Sequence, residues 1–133
     1  MVLSGEAIKS GIDRGVIGIT PFSEDQVEHA HVNLHLGSVD GADGSQYTVE
    51  PKCFVVARTR ERVRLPATLC GLIEGRSKLA QQGISVEQSS KFIEPGSDNT
   101  MALEIFNASD TPIELKIGQK IAKMMILKIT QEI

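Results

Sequence analysis

From Val16 onward, short runs of β-branched and apolar residues follow one another at close intervals, punctuated by turn clusters. The runs are VIGIT (16–20), HVNLHLG (31–37), YTVE (47–50), KCFVVART (52–59), VRL (63–65), TLCGLIEG (68–75), ISVEQ (84–88), MALEIFN (101–107), PIELKI (112–117) and QKIAKMMILKI (119–129). The turn signals are GSVDGADGS (37–45), EPGSDN (94–99), NASD (107–110) and KIG (116–118). Strands this short and this closely spaced prescribe an all-β sandwich or barrel. Only the beginning has another period. Over residues 4–14, Ala7, Ile8 and Ile12 form a helical apolar stripe, which Ser4 can cap and Gly15 can end. No repeat, linker or low-complexity tract interrupts the chain, so one domain is expected over 1–133.

Composition narrows the function classes. A chain of 133 residues supports one core, and 41% apolar residues is ordinary for a globular protein. No apolar run reaches membrane-spanning length, and MVLSGEAIKS lacks the pattern of a signal peptide. The expectation is a soluble, cytoplasmic protein. Cys53 and Cys70 lie in apolar, strand-like contexts and are expected as buried free thiols in a reducing compartment. A net charge of −3, without a basic face or an aromatic stacking set, argues against a nucleic-acid partner. A small molecule is the expected ligand.

The residues richest in chemistry fall between 75 and 107. Gly75 opens a segment in which Arg76, Ser77 and Lys78 stand at the start of a short helix. Backbone N–H groups and charged side-chain donors converge there as an anion cradle. Farther on, Glu104 sits inside the apolar strand MALEIF, on the side of Ala102 and Phe106 and opposite Leu103 and Ile105. It reads as the only acid in such a setting, and desolvation is expected to raise its pKa. A cradle for anions and an acid poised to hold a proton suggest an enzyme acting on a phosphorylated small molecule. His29, His31 and His35 share one parity, opposite Val32, Leu34 and Leu36, and read as a polar strand face rather than a metal site. Cys53 and Cys70 are seventeen residues apart, which does not match the Cys-x-x-Cys pair of zinc deaminases.

Taken in order, VNLHLG (32–37), LPATLCGLIEGRSKLAQQGI (65–84), IEPG (93–96), MALEIFN (101–107) and IELKIGQKIAKM (113–124) resemble the dCTP deaminase family, the deaminating branch of the trimeric dUTPase superfamily. The opening LSGEAIKSGIDRGVIGITPF is similar to that family's N-terminal helix and first strand. The resemblance implies a dUTPase-like jelly-roll or distorted β-barrel with a short N-terminal helix. It also implies a homotrimer with sites at the subunit interfaces. The activity implied is conversion of dCTP to dUTP and ammonia, without zinc and with Mg²⁺ on the nucleotide triphosphate. Arg76 and Ser77 match residues that hold the triphosphate, and Glu104 matches the glutamate that shuttles the proton from water to the cytosine ring.

The departures from the family pattern are specific. Lys78 stands where the family has a second serine, and Gln81 where it has an arginine. Glu94 replaces the aspartate before Pro-Gly that lies near the sugar 3′-hydroxyl. Ser89 and Ser90 replace a threonine-alanine pair. The one tyrosine, Tyr47, lies outside the hairpin in which dUTPases need theirs. The family's closing tail has no counterpart before Ile133, so a short form without the C-terminal lid is expected. The expected site is therefore Glu104 for catalysis, with Arg76, Ser77, Lys78, Gln81, Ser90 and Glu94 for the substrate. Two other readings accompany it. One is a dUTP diphosphatase or bifunctional enzyme, and the other is a non-catalytic trimeric paralogue that binds a nucleotide or a protein.

Overall fold

The computed structural model describes residues 1–131, where the apolar runs pair as antiparallel strands and the main sheet is curled. The elements are α1 (Gly5–Asp13), β1 (Gly18–Thr20), a 3₁₀ turn (Glu24–Gln26), β2 (Val32–Val39), β3 (Gln46–Val49), β4 (Phe54–Arg64) and β5 (Leu69–Gly75). Then follow α2 (Ser77–Gln82), β6 (Ile84–Ser85), β7 (Lys91–Ile93), β8 (Asp98–Asn107), β9 (Ile113–Lys116) and β10 (Lys120–Lys128). The main sheet runs β6-β8-β4-β2-β10-β5-β7, with β1 laid along β4, while β3 and β9 form a separate pair. The all-β architecture with a short N-terminal helix is the one the strand spacing called for.

Alternation decides which side chains enter the core. Val32, Leu34 and Leu36 on β2, Leu103 and Ile105 on β8, and Ile121, Met124 and Ile126 on β10 are fully buried. Each such side chain contributes about 1.5–3 kcal/mol when removed from water. The helix is positioned at its first turn. Ser4 Oγ accepts the Ala7 N–H at 3.1 Å, and the Gly5 N–H donates to the His29 carbonyl at 2.7 Å. A Cβ at Gly5 would lie 2.1 Å from the Glu28 carbonyl oxygen, so only glycine fits. Ile8 then enters the core.

Several boundaries differ from the sequence reading. The runs 52–59 and 63–65 are one strand, β4, because the charged residues between them keep strand parity. Arg58, Arg60, Arg62 and Arg64 point outward, while Ala57, Thr59, Glu61 and Val63 are buried. A register shift between Arg58 and Arg62 marks a bulge against β8. Thr59 Oγ1 closes it, accepting the Met101 N–H at 2.9 Å and donating to the Glu61 carbonyl at 2.8 Å. The outward arginines are a basic row that the net charge conceals, but most are engaged. Arg58 donates to Thr100, Arg62 pairs with Asp98 at 2.8 Å, and Arg64 donates to the Gly15 carbonyl.

Elsewhere, 16–20 shortens to β1 and 84–88 to β6, and β7 forms where no strand was expected. The cysteines are free, but burial was wrong for both: Cys53 is exposed and Cys70 is half-buried. Among the described residues no helix is long and apolar enough to cross a membrane.

Candidate active site

At the end of β5 the chain leaves the sheet at Arg76, whose extended backbone (φ −107°, ψ 138°) turns it into α2. The helix ends at Gly83, whose φ of +100° is the left-handed cap conformation that glycine adopts without strain. The Arg76 guanidinium is held rather than free. Its Nη1 donates to Asn33 Oδ1 at 3.0 Å. Asn33 is buried, and its carbonyl accepts from Gln26 Nε2 at 3.0 Å. The same Nε2 donates to Glu61 Oε2 at 3.0 Å. Glu61 is fully buried; it accepts the His35 N–H at 2.9 Å and meets His35 Nδ1 at 2.6 Å. A carboxyl is tolerated inside the barrel because both of its oxygens have partners. This chain of contacts fixes the base on which Arg76 rests.

Two clefts share Arg76, Ser77 and Lys123. The larger, about 490 Å³, is also lined by Glu74, Gly75, Glu87 and Ser90, and its size suits a small-molecule site. The smaller, about 190 Å³, is walled by His31, Lys78 and the three shared residues. Strand register builds the common wall. Lys123 on β10 lies opposite Asn33 on β2 and opposite Glu74 on β5, so these three residues stand side by side across the sheet.

One acid of the larger cleft, Glu87, meets a second acid on β8. Just after β6, Glu87 lines the cleft beside the buried Ile84 and Val86. Glu87 Oε1 accepts the Glu104 backbone N–H at 3.4 Å, which sets the two acids beside each other. Burial, reinforced by the neighbouring Glu104 carboxyl, pushes the Glu87 carboxyl from its ordinary 4.5 up to about 7; the Glu104 N–H and Lys91 oppose the rise. Glu104 lies on the half-buried side of β8 with Ala102 and Phe106, as alternation required. Across the ladder it faces Val56.

The structure thus gathers part of the expected site. Arg76, Ser77 and Ser90 line the larger cleft and Lys78 lines the smaller; Glu104 lines neither, and its backbone N–H donates to Glu87 on the wall of the larger one. Gln81 is exposed on α2 and lines neither. Glu94 opens onto a separate cleft with Arg58, Lys91 and Thr100. The carboxyl pushed toward neutrality is that of Glu87, and Glu104 is not the only acid in an apolar strand, since Glu61 is buried in β4. The histidines do not form one strand face: β2 begins at Val32, so only His35 belongs to it. Among the described residues no group of three His, Cys, Asp or Glu side chains could hold a metal ion.

Sequence reasoning missed Glu87, Lys123 and Glu61. For Lys123 the signal was present, because a lone cation inside IAKMMIL is the counterpart of the lone acid inside MALEIF. Glu61 was hidden in a run of arginines, and Glu87 in a hairpin of polar residues.

Residues 39–129 match the family described as dCTP deaminase-like. A "dCTP deaminase, dUMP-forming" of Corynebacterium kroppenstedtii is 30% identical over 94% of this chain and 82% of its own length. One of the same description from Mycobacterium sp. (strain KMS) is 29% identical over 98% of this chain and 82% of its own. Among solved structures, the 2′-deoxycytidine 5′-triphosphate deaminase from Agrobacterium tumefaciens superposes with a TM-score of 0.76 at 18% identity, covering 94% of this chain and 46% of that one. The dUTPase from phage phi11 of S. aureus superposes with a TM-score of 0.66 at 16% identity, covering 88% and 93%. At such identities the superpositions establish a shared fold.

Proposed function

The chain belongs to the dCTP deaminase-like family, and from that footing we propose that it hydrolytically deaminates dCTP. Water adds to C4 of cytosine, the C4–N bond breaks, ammonia leaves and the uracil carbonyl remains. The observation that carries this reading is the Glu87 carboxyl, which lines the cleft that holds Arg76, Ser77 and Ser90 and accepts the backbone N–H of the neighbouring Glu104. Water is a weak nucleophile and an unprotonated amine a poor leaving group, so one unit must take a proton and give it back. A carboxyl titrating near neutrality is matched to that task.

In the proposed mechanism Glu104 takes one proton from the attacking water and passes it to the ring nitrogen, then moves the second water proton to the departing amine. Glu87, on the cleft wall beside Glu104, relays the exchange. Arg76, Ser77 and Lys78 hold the phosphates through charge-assisted hydrogen bonds. Mg²⁺ arrives on the triphosphate as part of the substrate, its oxygen ligands coming from phosphate and water. We further propose a cytoplasmic homotrimer with sites at subunit interfaces, where Gln81 and Glu94 would meet a neighbouring subunit's substrate.

The product proposed is dUTP. A second reading is favoured by the relatives, whose names specify dUMP formation: a second water would cleave the triphosphate and release pyrophosphate. Incubation with dCTP and Mg²⁺, with ammonia, pyrophosphate, dUTP and dUMP quantified, separates the two. Glu104→Gln keeps the shape but removes the shuttle. It should bind triphosphate while ammonia release falls about 10²–10⁴-fold. Parental rates in that variant refute the role, and a parent protein that releases no ammonia from dCTP refutes the deaminase reading.

A further inference from the structure

Resting on that nucleotide reading, we propose that Gln26 and Glu61 are positioning residues that fix the direction in which Arg76 presents its guanidinium to the substrate. Neither lines either cleft; both act through Asn33. The cause is a gap in the sheet. The Leu36 N–H donates to the Gln119 carbonyl and the Leu36 carbonyl accepts the Gly118 N–H, so even-numbered residues of β2 turn their backbone groups toward β10. Asn33 and His35 turn theirs the other way, toward β4. Among the described residues, however, the β2–β4 ladder reaches no farther than Leu36, and β4 is bulged just beyond it. The Asn33 carbonyl and the His35 N–H therefore have no strand to pair with. Side chains fill the gap: Gln26 Nε2 donates to the Asn33 carbonyl at 3.0 Å, and Glu61 Oε1 accepts the His35 N–H at 2.9 Å.

The two side chains also lock each other. Gln26 Nε2 donates a second time, to Glu61 Oε2 at 3.0 Å, and Gln26 Oε1 accepts the Ser23 N–H at 2.8 Å. His35 Nδ1 meets the same Glu61 oxygen at 2.6 Å. Both amide hydrogens of Gln26, its oxygen and both oxygens of Glu61 are thus engaged, and neither group can turn without breaking a bond. Both residues are buried, so a partner lost here is not replaced by water. An apolar pair of similar volume would fill the space but strand the two backbone groups. The effect falls on Asn33, whose backbone is held at its own carbonyl and again at the N–H two residues on. Its side chain leaves β2 in one direction, and Oδ1 accepts Arg76 Nη1 at 3.0 Å. Among the described residues this is the one side-chain partner of that guanidinium. Arginine gives up much rotamer freedom when a ligand fixes it, and an anchor already in place lowers that cost.

The test is a double-mutant cycle between Gln26→Met and Asn33→Ala, read by calorimetric titration of the full chain with dCTP and, separately, with inorganic pyrophosphate. Methionine keeps the length of Gln26 and removes its donors; alanine keeps the Asn33 backbone and removes the anchor. Gln26→Met alone should weaken both ligands about tenfold. Added to Asn33→Ala it should weaken them by less than about twofold further, because the side chain through which it acts is gone. Thermal melts supply the contrast: Gln26→Met should lower the melting temperature in both backgrounds, since the backbone gap is opened in both. Affinity losses that simply multiply, or parental affinity in Gln26→Met, show that Gln26 only fills the gap, and they overturn the proposal while leaving the nucleotide site standing. If Gln26→Met fails to fold, Glu61→Gln takes its place in the same cycle, and multiplying losses or parental affinity there overturn it equally. A parent protein that binds neither ligand overturns this proposal together with the nucleotide reading beneath it.

Discussion

Replacing Glu87 by glutamine tests the acid pair without reference to any substrate. Burial and the Glu104 carboxyl raise the Glu87 carboxyl from 4.5 to about 7 in the folded protein. In the unfolded chain it ionises near the lower value, so between those limits the folded state binds more protons than the unfolded one. Stability therefore falls as pH rises from about 4.5 through about 7, and the full penalty is present above that. For a fully enclosed carboxyl such a shift corresponds to about 3 kcal/mol. Glu87 is only partly buried, and solvent screening reduces the expected effect to about 1 kcal/mol. Other groups shape the same window: Glu104 on β8, Lys91 on β7, and Glu74, Arg76 and Lys123 around the cleft. The difference between parent and Glu87→Gln isolates the contribution of the pair. Glutamine keeps the shape and has no charge to acquire, so the two proteins should melt together near pH 4.5. Near pH 8 the variant should be the more stable, by about 3–5 °C for a chain of this size. Thermal melts at fixed protein concentration, stepped from pH 4.5 to 8, read this directly. Parallel curves with a constant offset would show that the pair does not hold a proton, and the catalytic reading of Glu87 would fall with it.

Two further predictions concern the support of the site and its assembly. Asn33→Ala removes the oxygen that anchors the Arg76 guanidinium, and should weaken dCTP binding about tenfold while costing about 1–2 kcal/mol of stability; unchanged affinity in a folded variant would show that Arg76 needs no such anchor. Light scattering at micromolar concentration should give a mass about three times that of the 14.4 kDa chain, and a monomer would remove any shared site.

The strand-rich class, the capped first helix and the inward faces were legible in the sequence because each depends on neighbours along the chain. Ser4 caps a turn that begins beside it, and the alternation of Val32, Leu34 and Leu36 survives whatever strand pairs with β2. Arg76, Ser77 and Glu104 were legible as chemistry because each stands out against its local surroundings. The resemblance placed them in a known pattern.

What the sequence could not supply was juxtaposition. Glu87 and Glu104 are seventeen residues apart, and the β6–β8 pairing brings the Glu87 carboxyl to the Glu104 backbone. Lys123 joins Arg76 because β10 is inserted between β2 and β5, a sheet order that no local spacing encodes. Glu61 becomes a buried partner of His35 and Gln26 because the β4 bulge is closed by a threonine side chain. Whether an acid is an ordinary surface charge or a proton reservoir depends on the solvent and charges around it, and those are set by residues distant in sequence. Composition and periodicity determined which faces would be buried; tertiary pairing decided which charged groups would meet at the rim of that buried core.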